Sequence, residues 1–203
     1  MIIKCIPTGM FQSNSYIVAD NGEGVVIDSG VSSEDILKKV ENLGLKIKYV
    51  ILTHSHIDHI CTVDETSKGL GAKVAIYKLE AGALTDAYLN GSEMVGMNRT
   101  YKEAGVFLED GDIIEAGGLK FEIIHTPGHT MGGISIKVNN HIFTGDTLFR
   151  TSIGRSDLPG GNQKVLLDSI RNKLMSLQDD IVVYPGHGRE TTIGYERKNN
   201  PFI

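Results

Sequence analysis

The sequence has little cysteine, no long apolar run and no concentrated basic charge, and each shortage closes a class of function. Cys5 and Cys61 are the two cysteines in 203 residues, too few for a disulfide framework, and two reduced thiols predict a cytoplasmic protein. No apolar stretch approaches the length of a membrane span. The opening Met1-Ile2-Ile3-Lys4-Cys5-Ile6-Pro7 lacks the basic leader and long apolar core of a signal peptide. Formal charge is -5 with a pI near 5.8, and no stripe of Lys and Arg forms. Phosphate binding needs such a basic face, so neither nucleic acid nor membrane is expected as a partner. A small-molecule substrate is. Length predicts one domain over 1–203, burying roughly 70% of the unfolded surface. Glycine, by contrast, is plentiful: the 24 residues exceed the ~7% of average usage, and Gly128, Gly186 and Gly188 stand beside histidines.

Residues 2–6, 15–19 and 24–28 read as strands, the last two joined by the turn signal Asn21-Gly22. Ser32 opens a helix with Glu34 and Asp35 in its first turn, an apolar stripe at Ile36, Leu37, Val40 and Leu43, and a stop at Gly44. A strand over 46–52 follows, then a helix from about 59 to 68, a strand over 73–77 and a helix over 78–89. Residues 90–103 have no clean period and read as a loop or broken helix. Strands are expected at 106–108, 112–115, 119–125, 133–138 and 141–145, with a hairpin turning at Asn139-Asn140. A helix over 163–177, a strand over 181–184 and a helix over 191–199 complete the chain. Interleaved helices and strands at both ends, with hairpins between, give an α/β or α+β layered domain with mixed sheets and outer helices.

The densest chemistry is Thr53-His54-Ser55-His56-Ile57-Asp58-His59, directly after the apolar run Tyr49-Val50-Ile51-Leu52. If Thr53 to Asp58 stays extended, His54, His56 and Asp58 project from one face, because strand side chains alternate. His59 then falls on the following turn. Three later strands also end in metal-competent residues: Phe121–Ile124 before His129, His141–Thr144 before Asp146, and Ile181–Tyr184 before His187. Gly128, Gly145 and Gly186 stand directly before those three donors, where glycine permits a sharp turn and close approach. Imidazole and carboxylate suit zinc, iron or manganese. The seven donors exceed one tetrahedral zinc and suit two divalent ions sharing a ligand. A carboxylate, Asp146 or Asp58, must be the bridge, since a neutral imidazole cannot be. Two such ions about 3.5–4 Å apart lower the pKa of a shared water toward ~7 and polarise a carbonyl.

The run Thr53–His59 resembles the HxHxDH signature of the metallo-β-lactamase fold, an αβ/βα sandwich. Further motifs agree in order: Asn14-Ser15-Tyr16-Ile17-Val18, Val26-Ile27-Asp28-Ser29-Gly30, residues 125–130, 143–149 and 184–188. Within the fold the chain is most similar to short glyoxalase II-like (hydroxyacylglutathione hydrolase-like) hydrolases, on Gly154–Gly161 and the tail Glu190–Phe202. The resemblance assigns His54, His56 and His129 to one ion, Asp58, His59 and His187 to the other, and Asp146 to the bridge. It implies two divalent metal ions, zinc foremost with iron or manganese as alternatives, and thioester hydrolysis in which Asp58 also orients the attacking hydroxide. Full-length glyoxalase II adds a C-terminal helical domain with glutathione contacts; this sequence reaches Ile203 soon after its last motif, so the thiol is left open. Ile60-Cys61-Thr62 replaces the small residues usual after the signature, a change expected to reshape the pocket floor.

Alternatives within the fold are a persulfide dioxygenase-like enzyme with one iron, a lactonase or a phosphodiesterase. A non-catalytic, metal-stapled module is disfavoured, because structural zinc sites close with four ligands. Asp28 reads equally as a turn residue or as an orienting partner for a ligand histidine. His125 is expected to be structural, His141 exposed, Cys61 a small buried residue, and Arg155 with Asp157 a loop ion pair. Met94, Met97 and Tyr101 line a channel or pack in the core.

Overall fold

The computed structural model describes residues 1–7 and 12–203. One sheet contains β1 (Ile2–Ile6), β2 (Ser15–Asp20), β3 (Glu23–Ile27), β4 (Lys46–Ile51), β5 (Lys73–Tyr77) and β6 (Val106–Leu108), in that spatial order. Its first two pairings are antiparallel and the rest parallel. The tight turn at Asn21-Gly22, both at positive φ, permits the antiparallel step. Parallel neighbours need crossovers, supplied by α1 (Ser33–Asn42) and then by α2 (Ile57–Ile60) and α3 (Val63–Leu70).

The second sheet takes β7 (Ile113–Ala116), β8 (Leu119–His125), β9 (Ile134–Val138) and β10 (His141–Gly145). A short separate hairpin, β11 (Leu148–Phe149) and β12 (Ser152–Ile153), precedes α4 (Gln163–Ser169). β13 (Val182–Pro185) and β14 (Thr191–Thr192) then rejoin the sheet, whose order is β14-β13-β10-β9-β8-β7, and α5 (Ile193–Asn199) follows. β10 and β13 are parallel, so their C-terminal ends lie side by side.

Alternation of side chains builds the layers. Tyr16, Val18, Val25, Ile27 and Ile51 face Phe121, Ile123, Ile136 and Phe143 across the space between sheets. Their neighbours Ile17, Val26 and Val50 point outward onto Ile36 and Val40 of α1 and Val63 of α3. On the other outer face, Ile142 and Val183 meet Leu166, Ile170 and Ile193. Strands buried on both faces must be apolar at every position, which explains the run Val50-Ile51-Leu52 before His54; β8 instead alternates, with Lys120 and Glu122 exposed. The result is the αβ/βα sandwich of two mixed sheets. Truncating Phe121 or Phe143, both fully buried, would cost about 3–5 kcal/mol.

Several expected elements differ. The segment 78–89 is not a helix but turns around a 3-10 stretch, Ala81–Thr85. Asp86 Oδ1 accepts from the backbone N–H of Tyr88 and Leu89, a local turn that competes with helix. Buried Asn90 and Ser92 hold the loop after it, each donating to the Arg99 carbonyl. The helix expected over 163–177 is α-helical only to Ser169 and widens into a π-helical turn over Ile170–Leu174. Thr191–Thr192 pairs with β13 before α5 starts. Among the described residues, no helix is long and apolar enough to cross a membrane.

Candidate metal centre

β4 ends at Ile51, and the chain reaches His56 in extended conformation (φ -64, ψ 144) before turning into α2. His54 and His56 therefore share a side, as period two requires. Asp58 does not join them, contrary to the expectation that 53–58 stays extended. The Ile57 N–H is taken by the Asn90 carbonyl at 2.8 Å, and the His59 N–H closes back on the His56 carbonyl at 2.9 Å. Burying Ile57, 4% exposed, in the outer core layer fixes that turn. Asp58 and His59 consequently face a second point.

The seven donors thus divide into two groups, His54 with His56 and His129, and Asp58 with His59, Asp146 and His187. Within each group the candidate ligand atoms lie within 4.8 Å of one another. Asp146 touches both. Its Oδ1 is 3.2 Å from His59 Nε2, and its Oδ2 is 3.7 Å from His129 Nε2 and 3.6 Å from His187 Nε2. Of the two carboxylates proposed as a bridge, Asp146 has the matching geometry. Asp58 instead sits 3.0 Å from His187 Nε2 and 3.5 Å from His59 Nε2, inside the second group.

A cation suits this arrangement. His54 Nε2, His56 Nε2, His59 Nε2 and Asp146 Oδ1 are buried without any hydrogen-bond partner. Each unsatisfied buried polar atom costs about 1–3 kcal/mol, and four of them in one place are what a cation would satisfy. The donors are nitrogen and oxygen alone, as zinc, iron or manganese accept. Outer contacts aim the rings. His59 Nδ1 lies 2.8 Å from Asp28 Oδ2, His129 Nδ1 2.7 Å from the Arg155 carbonyl, and His187 Nδ1 3.2 Å from the Gln12 carbonyl. Donation there aims each Nε2 inward as the atom that would face a cation. Thr53 Oγ1 donates to Asp28 Oδ2 at 2.8 Å and lies 3.1 Å from His54 Nδ1, extending the same chain. Asp28 is therefore an orienting partner and not merely a turn residue, although it does sit at φ 59.

Charge divides the groups further. Burial and the surrounding imidazoles hold His54 well below its usual pKa, and burial with His129 brings His56 down to about 4. In the second group burial also opposes charge, but there it is outweighed. Asp58, Asp146 and Asp28 hold His59 well above its usual value, and the hydrogen bond to Asp58 raises His187. Against the same burial, His59 keeps the carboxyls of Asp58 and Asp146 below the usual carboxylate range.

Two glycines allow the donors to converge. A side chain at Gly186 would collide with Asp146 Oδ1 and the His59 ring, and one at Gly145 (φ +48) with the Thr53 side chain. The His187 loop is also pinned from β2. Asn14 Nδ2 donates to the carbonyls of Pro185 at 3.0 Å and Gly188 at 2.9 Å, and the Tyr16 hydroxyl to that of Pro185 at 2.6 Å.

A cavity of about 420 Å³ opens above the donors, walled by Ile57, Met94, Val95, Leu158 and Arg155. Arg155 also makes the expected pair, its Nε and Nη2 each 2.7 Å from Asp157. Met97 and Tyr101 pack in the outer core layer instead. Ile60, Cys61 and Thr62 do not line the cavity: Ile60 is buried in that core layer, and Thr62 donates to the Val31 carbonyl at 2.7 Å. They do not reshape its floor. His125 stacks on Tyr77 at 4.2 Å, apart from the donors. His141 is half-buried, not exposed as expected, because β10 lies between β9 and β13. Sequence reasoning missed Glu80, whose carboxylate reaches Ser55 and Gly132; a lone acid in a supposed helix gave no signal.

The sequence profile of the Metallo-beta-lactamase superfamily matches residues 8–187. A hydroxyacylglutathione hydrolase, GloC, of Haemophilus influenzae is 36% identical over 208 residues, covering 100% of this chain and 98% of its own. Among solved structures, the BLEG-1 B3 metallo-beta-lactamase superposes with a TM-score of 0.95 at 37% identity, over 99% of both chains. TTHA1623 in a di-iron-bound form gives 0.88 at 33% identity, over 98% of this chain and 100% of its own. These neighbours agree on architecture and carry different names.

Proposed function

The chain belongs to the metallo-beta-lactamase superfamily, and from that premise we propose that this metallo-hydrolase cleaves thioesters, with His54, His56 and His129 holding one divalent ion, Asp58, His59 and His187 a second, and Asp146 both. Its full-length likeness to a hydroxyacylglutathione hydrolase supports the thioester. The observation that carries the two-ion reading is the two-sided contact of Asp146. Zinc is the ion proposed.

When bound, such ions supply an acidified water and a Lewis acid for the substrate carbonyl. The chain's own groups do the rest. Asp58 lines the cavity with its carboxyl held ionised by His59 and His187, and orients the attacking water. Ile57, Met94, Val95 and Leu158 form an apolar wall that seats the apolar part of a small-molecule substrate. A thiol with pKa near ~8.5 departs as thiolate without an acid to protonate it, so no Ser or Cys nucleophile is required.

Elemental analysis of purified protein, combined with a panel of thioesters, a lactone, a phosphodiester and a β-lactam before and after chelation, tests this. Turnover of thioesters alone, lost on chelation and restored by zinc, is the expected result. About one iron per chain, with oxygen uptake on a persulfide and no hydrolysis, would replace it with the dioxygenase reading.

A further inference from the structure

One buried acid has no part in the chemistry above. Glu80 is 3% exposed and lies just beyond β5. Its Oε2 accepts from the Ser55 N–H at 3.1 Å and from the Ser55 hydroxyl, and its Oε1 accepts from the Gly132 N–H at 2.8 Å. We propose that Glu80 is a positioning residue for the three-imidazole group, clamping from behind the two segments that present His54, His56 and His129.

Ser55 stands between His54 and His56 on extended backbone, so it points away from the group that they face. There it meets Glu80. Gly132 belongs to the loop after His129, and a side chain at 132 would collide with Glu80 Cγ and its backbone nitrogen. One carboxylate therefore joins the β4 exit to the β8 exit. Burying a charged acid is costly unless its hydrogen bonds are made, and charge-assisted bonds are the stronger kind. Here every donor comes from a ligand-bearing segment. Both oxygens are engaged, so Glu80 orients ligands and is not one. This inference rests on the metal-centre reading but not on the identity of the substrate.

Cobalt(II) titration of metal-free protein, followed by visible absorption and chelator competition, tests it without substrate. Glu80→Gln keeps the volume and turns an N–H₂ toward a donor. In an Asp58→Ala background, where the second group has lost a carboxylate, Glu80→Gln should weaken cobalt binding about tenfold or more and shift the absorption bands. In a His56→Ala background, which leaves the second group to dominate, affinity should stay within about twofold. Ser55→Ala removes one donor while keeping Glu80, and should weaken the same group alone if Glu80→Gln does not fold. Equal losses in both backgrounds, or unchanged affinity in the first, overturn the clamp. A parent chain that takes up no cobalt overturns the metal-centre reading and the clamp together.

Discussion

The two donor groups share one carboxylate yet are built on opposite electrostatic principles. His54, His56 and His129 are all buried and have no acid of their own, so burial keeps His54 and His56 neutral. Around His59 and His187, the carboxylates of Asp58 and Asp146 favour protonated rings. In metal-free protein the second group favours protons, while the first favours neutral lone pairs. A cation entering the second group therefore competes with protons more than one entering the first.

Asp146→Ala removes the element common to both groups and should have the largest effect. Bound metal should fall from two ions per chain toward none, with turnover lost by more than about 100-fold, beyond the loss expected from an outer contact. Undiminished metal content and rate would refute the bridge. Asp28→Asn should be smaller and uneven. It loosens the His59 ring directly and reaches His54 only through Thr53, so the affinity of the second group should drop about 10–100-fold and that of the first by less, as competition with a chromogenic chelator would show.

Acidification should part the groups next. His187 titrates above 6.5 in metal-free protein, whereas His56 does so only near about 4. Dialysis at stepped pH with elemental analysis should therefore show one ion lost well before the other. Without metal the stability effects have opposite signs. His56 binds fewer protons folded than unfolded between about 6.5 and 4, so its contribution is lost as pH falls through that window. His187, with a raised value, contributes below 6.5 and loses that contribution as pH rises past its folded value. Simultaneous loss of both ions would erase the distinction. Arg155→Ala should have the smallest effect. His129 is held by the Arg155 carbonyl and not by its side chain, and the exposed pair with Asp157 adds little to stability. The melting temperature and both ions should be retained, with only KM rising.

The layers and the donors were legible in sequence because both leave periodic or chemical marks. Strands with buried apolar positions run out just before His129, Asp146 and His187, and glycine precedes those three donors. Asp58 shows where such reading stops. Periodicity placed it with His54 and His56, but a hydrogen bond from Ile57 to Asn90, a residue 33 positions away in an irregular loop (90 − 57), turns the backbone. Glu80 was hidden for a similar reason. Residues 78–89 read as a helix, whereas Glu80 and Asp86 spend their side chains on backbone N–H groups. Long-range claims on the backbone leave no local trace.

Asn14 and Tyr16 reach across the whole chain to hold the loop of His187. Synthesis on the ribosome is vectorial, so that tether has nothing to grasp until the final parallel strand emerges. The triad of imidazoles is complete once His129 has been made, long before its neighbour. A nascent polypeptide halted after Asp146 but short of His187 would be a half-finished vessel, with one berth carrying all its donors and the other lacking a wall.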